Sequence, residues 1–220
     1  MDYREFINEI RESGIIEEIL NSGDLLTYES AYDKFHDYFK GQAWVGSGAT
    51  KLVIIPNDAN YVIKIPFDAW DNGAMFDEQD YCELEEIAYD KAAQNGLDYL
   101  FMPTRFVESV STVKVYVQDR VDGYAYDTDD DQLTDDELDE IECIKTSSGA
   151  TCEVSSFWVH EFLEVYGEDT FEEFTNFLTC FGINDLHSGN VGYWNNKPVI
   201  FDYSGYYEES YAKCTRRKAV

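Results

Sequence analysis

The sequence is short of positive charge. Sixteen lysines and arginines stand against 45 aspartates and glutamates, a formal net charge of −29 over 220 residues. Such a chain is disfavoured as a non-specific binder of nucleic acid or anionic membrane, because phosphate attracts basic surfaces. It suits a basic partner, a site that gathers divalent cations, or a mimic of nucleic-acid charge. Cysteine is sparse and unpatterned. Cys82, Cys143, Cys152, Cys180 and Cys214 are odd in number and contain no C-x-x-C pair. That argues against a disulfide scaffold or structural zinc site and for a reducing cytoplasm. No apolar run reaches the roughly 18 residues of a membrane span. The opening MDYREFINEIRESG is charged throughout, unlike a signal peptide. The expectation is a soluble, intracellular protein with no membrane partner.

Against these absences stands ample core material. Hydrophobic residues make up 44% of the chain and aromatics 16%, enough for one compact domain or two small lobes. Residues 1–40 read as amphipathic helices. Tyr3, Phe6, Ile7 and Ile10 recur at helical spacing, Ser13-Gly14 interrupts, and IIEEIL and YESAYDKFHDYF follow. From Gly41 the period changes to that of strands. AWVGSGATKLVIIPNDANYVIKIPF reads as a hairpin around PNDAN. DEQDYCELEEIAYDKAAQNG returns to helix, with Leu84, Ala88 and Lys91 or Ala92 on one face and Gly96 as its stop. FMPTRFVES and STVKVYVQDRV predict two more strands.

Residues 127–142 carry ten acids in sixteen positions. Thr134 and Glu137 predict a capping box opening a short acidic helix. A calcium loop starting at Asp127 is disfavoured: its sixth and twelfth positions hold Gln132 and Leu138, where glycine and glutamate are needed. The stretch reads as a solvated acidic insertion. VSSFWVHEFLEVYG and TFEEFTNFLTCFG follow as two helices.

The chemistry concentrates in a few residues. Phosphoryl transfer needs cradled phosphates, a lysine on them, magnesium ligands and a group to orient the nucleophile. GSGATKLV, with Gly46, Ser47, Gly48 and Val53, sits on the first hairpin, where glycines would let the backbone close over phosphates. Alone, a glycine pair before a strand is more often only a turn. Lys64 sits inside the apolar YVIKIP, where a charge is costly unless paired. The following helix offers Glu83, Glu85 and Glu86. Glu85, bordering the face of Ala88, Tyr89 and Ala92, is the preferred partner, and Glu86 the next. Asp185, Asn190 and Asp202 match D-x-x-x-x-N followed by a strand pair and D. VGYWNNKPVIFDYSG predicts two short strands joined by NNK.

With NDLHSGNVG…VIFDYSG, the chain resembles the protein-kinase-like superfamily. DLHSGN is most similar to the aminoglycoside and choline kinase branch and to small phage-encoded protein kinases. The resemblance runs from about Trp44 to Tyr206. It implies an α+β, reduced bilobal kinase-like fold: an N-lobe over 41–118 with an antiparallel sheet and one long helix, and a small, mostly helical C-lobe over 119–220. The C-lobe would carry the 127–142 insertion, and residues 1–40 would be a helical extension. ATP and Mg²⁺ are the implied cofactors. Lys64 would touch the α/β phosphates, with Glu85 steadying it. Asp185 would be the catalytic aspartate, Asn190 and Asp202 the magnesium ligands. Gly46, Ser47, Gly48, Val53, Val62 and His187 would line the nucleotide, and Gln118 to Val121 would form the hinge facing adenine.

The departures are specific. Lys51 stands where the phosphate loop has its third glycine, and Val62 where alanine usually meets adenine. Ile183-Asn184 replaces His-Arg, His187 replaces lysine, and DYSG replaces D-F-G. Eighteen residues follow Asp202 (203 to 220), so the usual peptide-binding helices are expected to be absent. The leading expectation is a minimal protein Ser/Thr kinase acting on basic proteins. A small-molecule hydroxyl kinase competes with it. So does an acidic kinase-shaped binding protein, pseudokinase or DNA mimic, docking a basic partner.

Overall fold

The computed structural model describes residues 2–22, 28–48, 50–66, 80–121, 127–147, 153–183 and 185–203. The architecture is α+β. Three helices come first, α1 (Tyr3–Ser13), α2 (Ile15–Ser22) and α3 (Tyr28–Phe39). Then follow β1 (Ala43–Ser47), β2 (Lys51–Pro56), β3 (Tyr61–Pro66), α4 (Tyr81–Gln94), β4 (Arg105–Val110) and β5 (Val113–Asp119). The remainder is α5 (Asp135–Ser147), α6 (Ser156–Tyr166), α7 (Glu168–Phe181), β6 (Val191–Trp194) and β7 (Lys197–Ile200). An antiparallel sheet with one long helix, followed by a mostly helical part, is the expected α+β arrangement. The contacts divide into two compact units: Met1–Glu86 with Thr104–Arg120, and Ile87–Pro103 with Val121–Val220.

The first unit is built on a five-stranded antiparallel sheet of order β1-β2-β3-β5-β4. Strand alternation gives it two chemically different faces. Leu52, Ile54, Ile63, Ile65, Val113 and Val115 point to one face. There they form a continuous core with Phe6, Ile7 and Ile10 of α1, Ile16 and Ile19 of α2, and Phe35 and Phe39 of α3. Asp2 and Glu5 close a capping box at the start of α1, and Gly14 ends it in the left-handed region at φ 68°. Arg11 of α1 pairs with Glu108 of β4, and the Tyr32 hydroxyl donates to the Val45 carbonyl at 3.0 Å. The N-terminal helices are therefore part of the sheet's own core.

The opposite parity carries Lys51, Val53, Val62, Lys64, Tyr116 and Gln118. Their register is explicit: Val53 pairs with Lys64, Lys64 with Tyr116, and Val62 with Gln118. Two local expectations are corrected. The run from Ala43 to Pro66 makes two consecutive hairpins, because the glycine-rich stretch is itself a turn, closed by the Gly48 N–H donating to the Lys51 carbonyl at 3.0 Å. The strand expected to start at Phe101 starts at Arg105, after a 3-10 turn over Asp98–Leu100.

The second unit is packed with aromatics. Phe162 lies 5.2 Å from Phe174 and 5.3 Å from Trp158, ring centre to ring centre. The Trp158 indole N–H donates to the Gly192 carbonyl at 3.2 Å, joining α6 to β6. At the acidic stretch the expected capping box is present: the Thr134 N–H donates to Glu137 Oε2 at 2.7 Å and the Glu137 N–H to Thr134 Oγ1 at 3.4 Å. Asp127–Gln132 forms a 3-10 segment before it. Asn195 and Asn196 turn β6 into β7 with φ of 52° and 58°, the paired left-handed conformation of a type I′ hairpin. Cys82 and Cys143 are free, while Cys180 is disulfide-bonded, a pairing that the odd, unpatterned cysteines did not announce. Among the described residues, no helix is long and apolar enough to cross a membrane.

Candidate functional site

The polar face of the sheet and α4 build one cluster. Lys64 Nζ lies 2.8 Å from Glu85 Oε2. The lysine in the apolar strand thus has the partner its burial demands. Glu85 is 0% exposed and Lys64 2%, so removing the carboxylate would strand the buried ammonium, a loss of about 3–5 kcal/mol in comparable buried pairs. The position of Glu85 differs from the sequence reading. The buried face of α4 runs through Cys82, Glu85, Ala88 and Ala92, all at 0% exposure, and Leu84 is only half-buried. Glu85 occupies the middle of the packed stripe, among small residues that leave room for its partners.

Those partners include residues that the motif reading missed. Lys51 Nζ is 2.6 Å from Glu85 Oε1, so one carboxylate bridges two lysines. Thr104 Oγ1 donates to Glu85 Oε2 at 2.6 Å and accepts from Gln118 Nε2 at 3.0 Å. The Gln118 side chain is therefore committed inside the cluster, and Val121 is half-buried. Asp80 sets the start of α4: its Oδ1 accepts from the N–H groups of Cys82 and Glu83 at 3.0 and 2.9 Å. The Tyr116 hydroxyl donates to Asp80 Oδ2 at 2.5 Å, tying the helix start to β5. Burial, and then the bond to Asp80, raises the Tyr116 phenol far above its ordinary range. Burial pushes the Cys82 thiol well up, and the Glu85 charge adds to it, so this cysteine is no nucleophile.

At the glycine turn the picture is less committed to phosphate. A side chain at Gly46 would collide with the Trp44 indole, with its Cβ 2.0 Å from the ring, whereas one at Gly48 would meet nothing within 4 Å. A side chain at Gly46 would have to push the exposed Trp44 ring aside, while one at Gly48 would meet open space. Val53 is half-buried and Val62 buried beside Lys64 on the same face. The Ser47 side chain lies outside the described residues.

A second group of the predicted residues belongs to the other unit. Asn190 organises it. Its Nδ2 donates to the Asp185 carbonyl at 2.6 Å, while its own carbonyl accepts from the Phe201 and Asp202 N–H groups at 3.0 and 3.3 Å. One buried asparagine thereby draws Asp185 and Asp202 to the same end of the β6–β7 hairpin. Because Nδ2 is used on the backbone, Oδ1 is the oxygen that Asn190 could offer a cation, with the Asp202 carboxylate as the second candidate. An amide oxygen with a carboxylate is a donor set that fits Mg²⁺, a cation that takes oxygen ligands and keeps several waters. Asp185 itself is exposed, its side chain 62% accessible. His187 Nε2 stands 3.8 Å from Asp185 Oδ1, and its Nδ1 accepts from the Gly189 N–H at 3.0 Å. Asn184 and the Ser204-Gly205 of DYSG lie outside the described residues.

One further group could hold a cation. His160, Glu161 and Glu164 on α6 offer ligand atoms within 4.8 Å of one another. They lie on a solvent-facing helix side near a groove of about 790 Å³ between α5, α6 and the start of α7. Ile141, Ile144 and Leu163 form its apolar lining, and Glu140, Glu164 and Asp169 contribute acids.

No protein-family profile matches the chain, and no curated protein does. Among solved structures, the chain is similar to the aminoglycoside phosphotransferase APH(2'')-IIa in its ternary complex with streptomycin and ATP. The similarity covers 87% of this chain and 76% of that one, at 14% identity and a TM-score of 0.38.

Proposed function

We propose that this protein is an ATP- and magnesium-dependent phosphotransferase. The observation that carries the reading is the dry Lys64–Glu85 pair, a charge placed inside an apolar strand and stabilised there by a helical carboxylate. Lys64 would neutralise the α/β phosphates while Glu85 fixes its direction. Asn190 Oδ1 and the Asp202 carboxylate would hold Mg²⁺, which supplies charge neutralisation on the phosphates when bound. Asp185, exposed and flanked by His187, would accept the proton of an acceptor hydroxyl. As that oxygen bonds to the γ-phosphorus, the bond to the β,γ-bridging oxygen breaks and ADP leaves.

For the acceptor we propose a Ser or Thr hydroxyl on a basic protein. The net charge of −29 supports this, because an acidic surface gathers basic partners and steers their approach. The groove beside α5, with an apolar lining and acids around it, supports the same reading. A second reading draws on that same groove: an acidic, kinase-shaped docking protein that binds a basic partner without transferring phosphate.

The deciding experiment incubates the pure protein with γ-labelled ATP and Mg²⁺, then adds basic protein acceptors. Transfer that Asp185→Ala abolishes supports the enzyme. Nucleotide binding that ignores Mg²⁺, with no label transferred to any acceptor, supports the docking protein instead.

A further inference from the structure

Glu85 is shared. Lys51 takes its Oε1 at 2.6 Å and Lys64 its Oε2 at 2.8 Å, while Thr104 donates to Oε2 at 2.6 Å. Lys51 is 2% exposed, as buried as Lys64. It begins β2 directly after the glycine turn, at the position where the resemblance would place a third glycine. A flexible loop residue has thus been exchanged for a fixed cation.

The exchange matters because of what phosphate binding asks of Lys64. To neutralise a phosphate, the Lys64 ammonium must direct part of its field away from Glu85. A buried carboxylate resists that loss when Lys64 is its main counter-ion, and the lysine is held back. With Lys51 on the other oxygen, Glu85 stays neutralised while Lys64 is committed elsewhere. We propose that Lys51 is a positioning residue, the resident counter-ion of Glu85 that releases Lys64 for phosphate. It acts through Glu85 and need not touch the nucleotide. This rests on the phosphotransferase reading above.

The test measures binding of ATP and of adenosine, which shares the base and sugar and lacks phosphates. Lys51→Met should lower the preference for ATP over adenosine by roughly tenfold, the scale of one charge-assisted hydrogen bond, with adenosine affinity unchanged. Lys51→Arg, which keeps the cation, should retain the preference. The sharper arm adds Glu85→Gln. Once the glutamate charge is gone, Lys64 is no longer held back, so Lys51→Met in that background should leave the preference unchanged. The double variant also buries fewer charges, so it keeps the comparison open if Lys51→Met alone folds poorly. Should Lys51→Met lower the preference equally with and without Glu85→Gln, Lys51 acts on phosphate independently and the proposal is overturned. An unchanged preference in Lys51→Met overturns it too, while leaving the phosphotransferase reading intact. If the wild-type protein shows no preference for ATP over adenosine, that reading falls, and this inference with it.

Discussion

The two groups of candidate residues, one in each unit, are built on opposite principles. Lys51, Lys64, Glu85 and Thr104 are dry, and they are locked by side chains holding side chains. Asp185 and His187 are wet, and the Asp185–Asn190–Asp202 arrangement is held by backbone groups. A dry ionic cluster makes folding depend on the same charges that would bind phosphate. An exposed carboxylate such as Asp185 costs the fold little. The first kind of site couples function to stability, and the second leaves them separable.

That contrast can be broken by mutation. The largest effect is expected from Asp185→Ala, which should cut phosphate transfer by about 100-fold or more, the contribution typical of a positioned base. Its unfolding free energy should stay within about 0.5 kcal/mol of wild type, as for other exposed positions. Asp202→Ala should instead remove the magnesium dependence of nucleotide binding. Equal loss of ATP affinity in both variants would erase the division of labour between them. Next comes Glu85→Ala, which strands two buried ammonium groups and should cost about 3–5 kcal/mol by calorimetry or denaturant titration. A Glu85→Ala protein as stable as wild type would mean that the cluster is less dry than its burial states.

Tyr116→Phe sharpens the same comparison at a smaller scale. It deletes the donor to Asp80 and should destabilise the start of α4 by about 1–2 kcal/mol, visible as faster amide exchange in the first helical turn. The smallest effect concerns pH. Glu142 on α5 accepts from Lys145 at 2.7 Å and from the Ser156 hydroxyl at 2.8 Å. The Lys145 bond first, and then Ser156, hold its carboxyl below the ordinary value of 4.5. A group depressed in the folded state stabilises above its unfolded pKa and loses that contribution as pH falls through the folded one. The clasp between α5 and α6 should therefore weaken only below about pH 4.5. Glu142→Gln should flatten that part of the stability curve slightly, since the carboxylate is largely solvated.

Much of this was legible in the chain, and the residues show why. Lys64 announced itself as a charge among Val62, Ile63 and Ile65. Asp185, Asn190 and Asp202 stood at spacings that local structure fixes, so the hairpin and its asparagine turn could be read directly. Lys51 carries the same signal as Lys64, a lysine beside Leu52 and Val53, but the glycines before it drew the eye to a loop. Its partner lies 34 positions away on another element, and nothing local encodes that distance. Thr104 and Asp80 were hidden for a related reason. A short polar side chain reads as turn chemistry until tertiary packing assigns it a carboxylate or a helix end. The α4 register went astray because Cys82, Ala88 and Ala92 are small; a weak apolar stripe let Leu84 compete with Glu85 for the buried face.

Trp44 offers a consequence of a different kind. Its indole is 57% exposed and overlies Gly46, leaving no space for a side chain there. Any displacement of the glycine turn must move the ring or change its solvation. The β1–β2 hairpin thus carries its own fluorophore at the one place where, in the proposed reading, the backbone meets phosphate. A shift in tryptophan emission on adding ATP, absent in Trp44→Phe, would let the turn's motion be followed optically without any attached label.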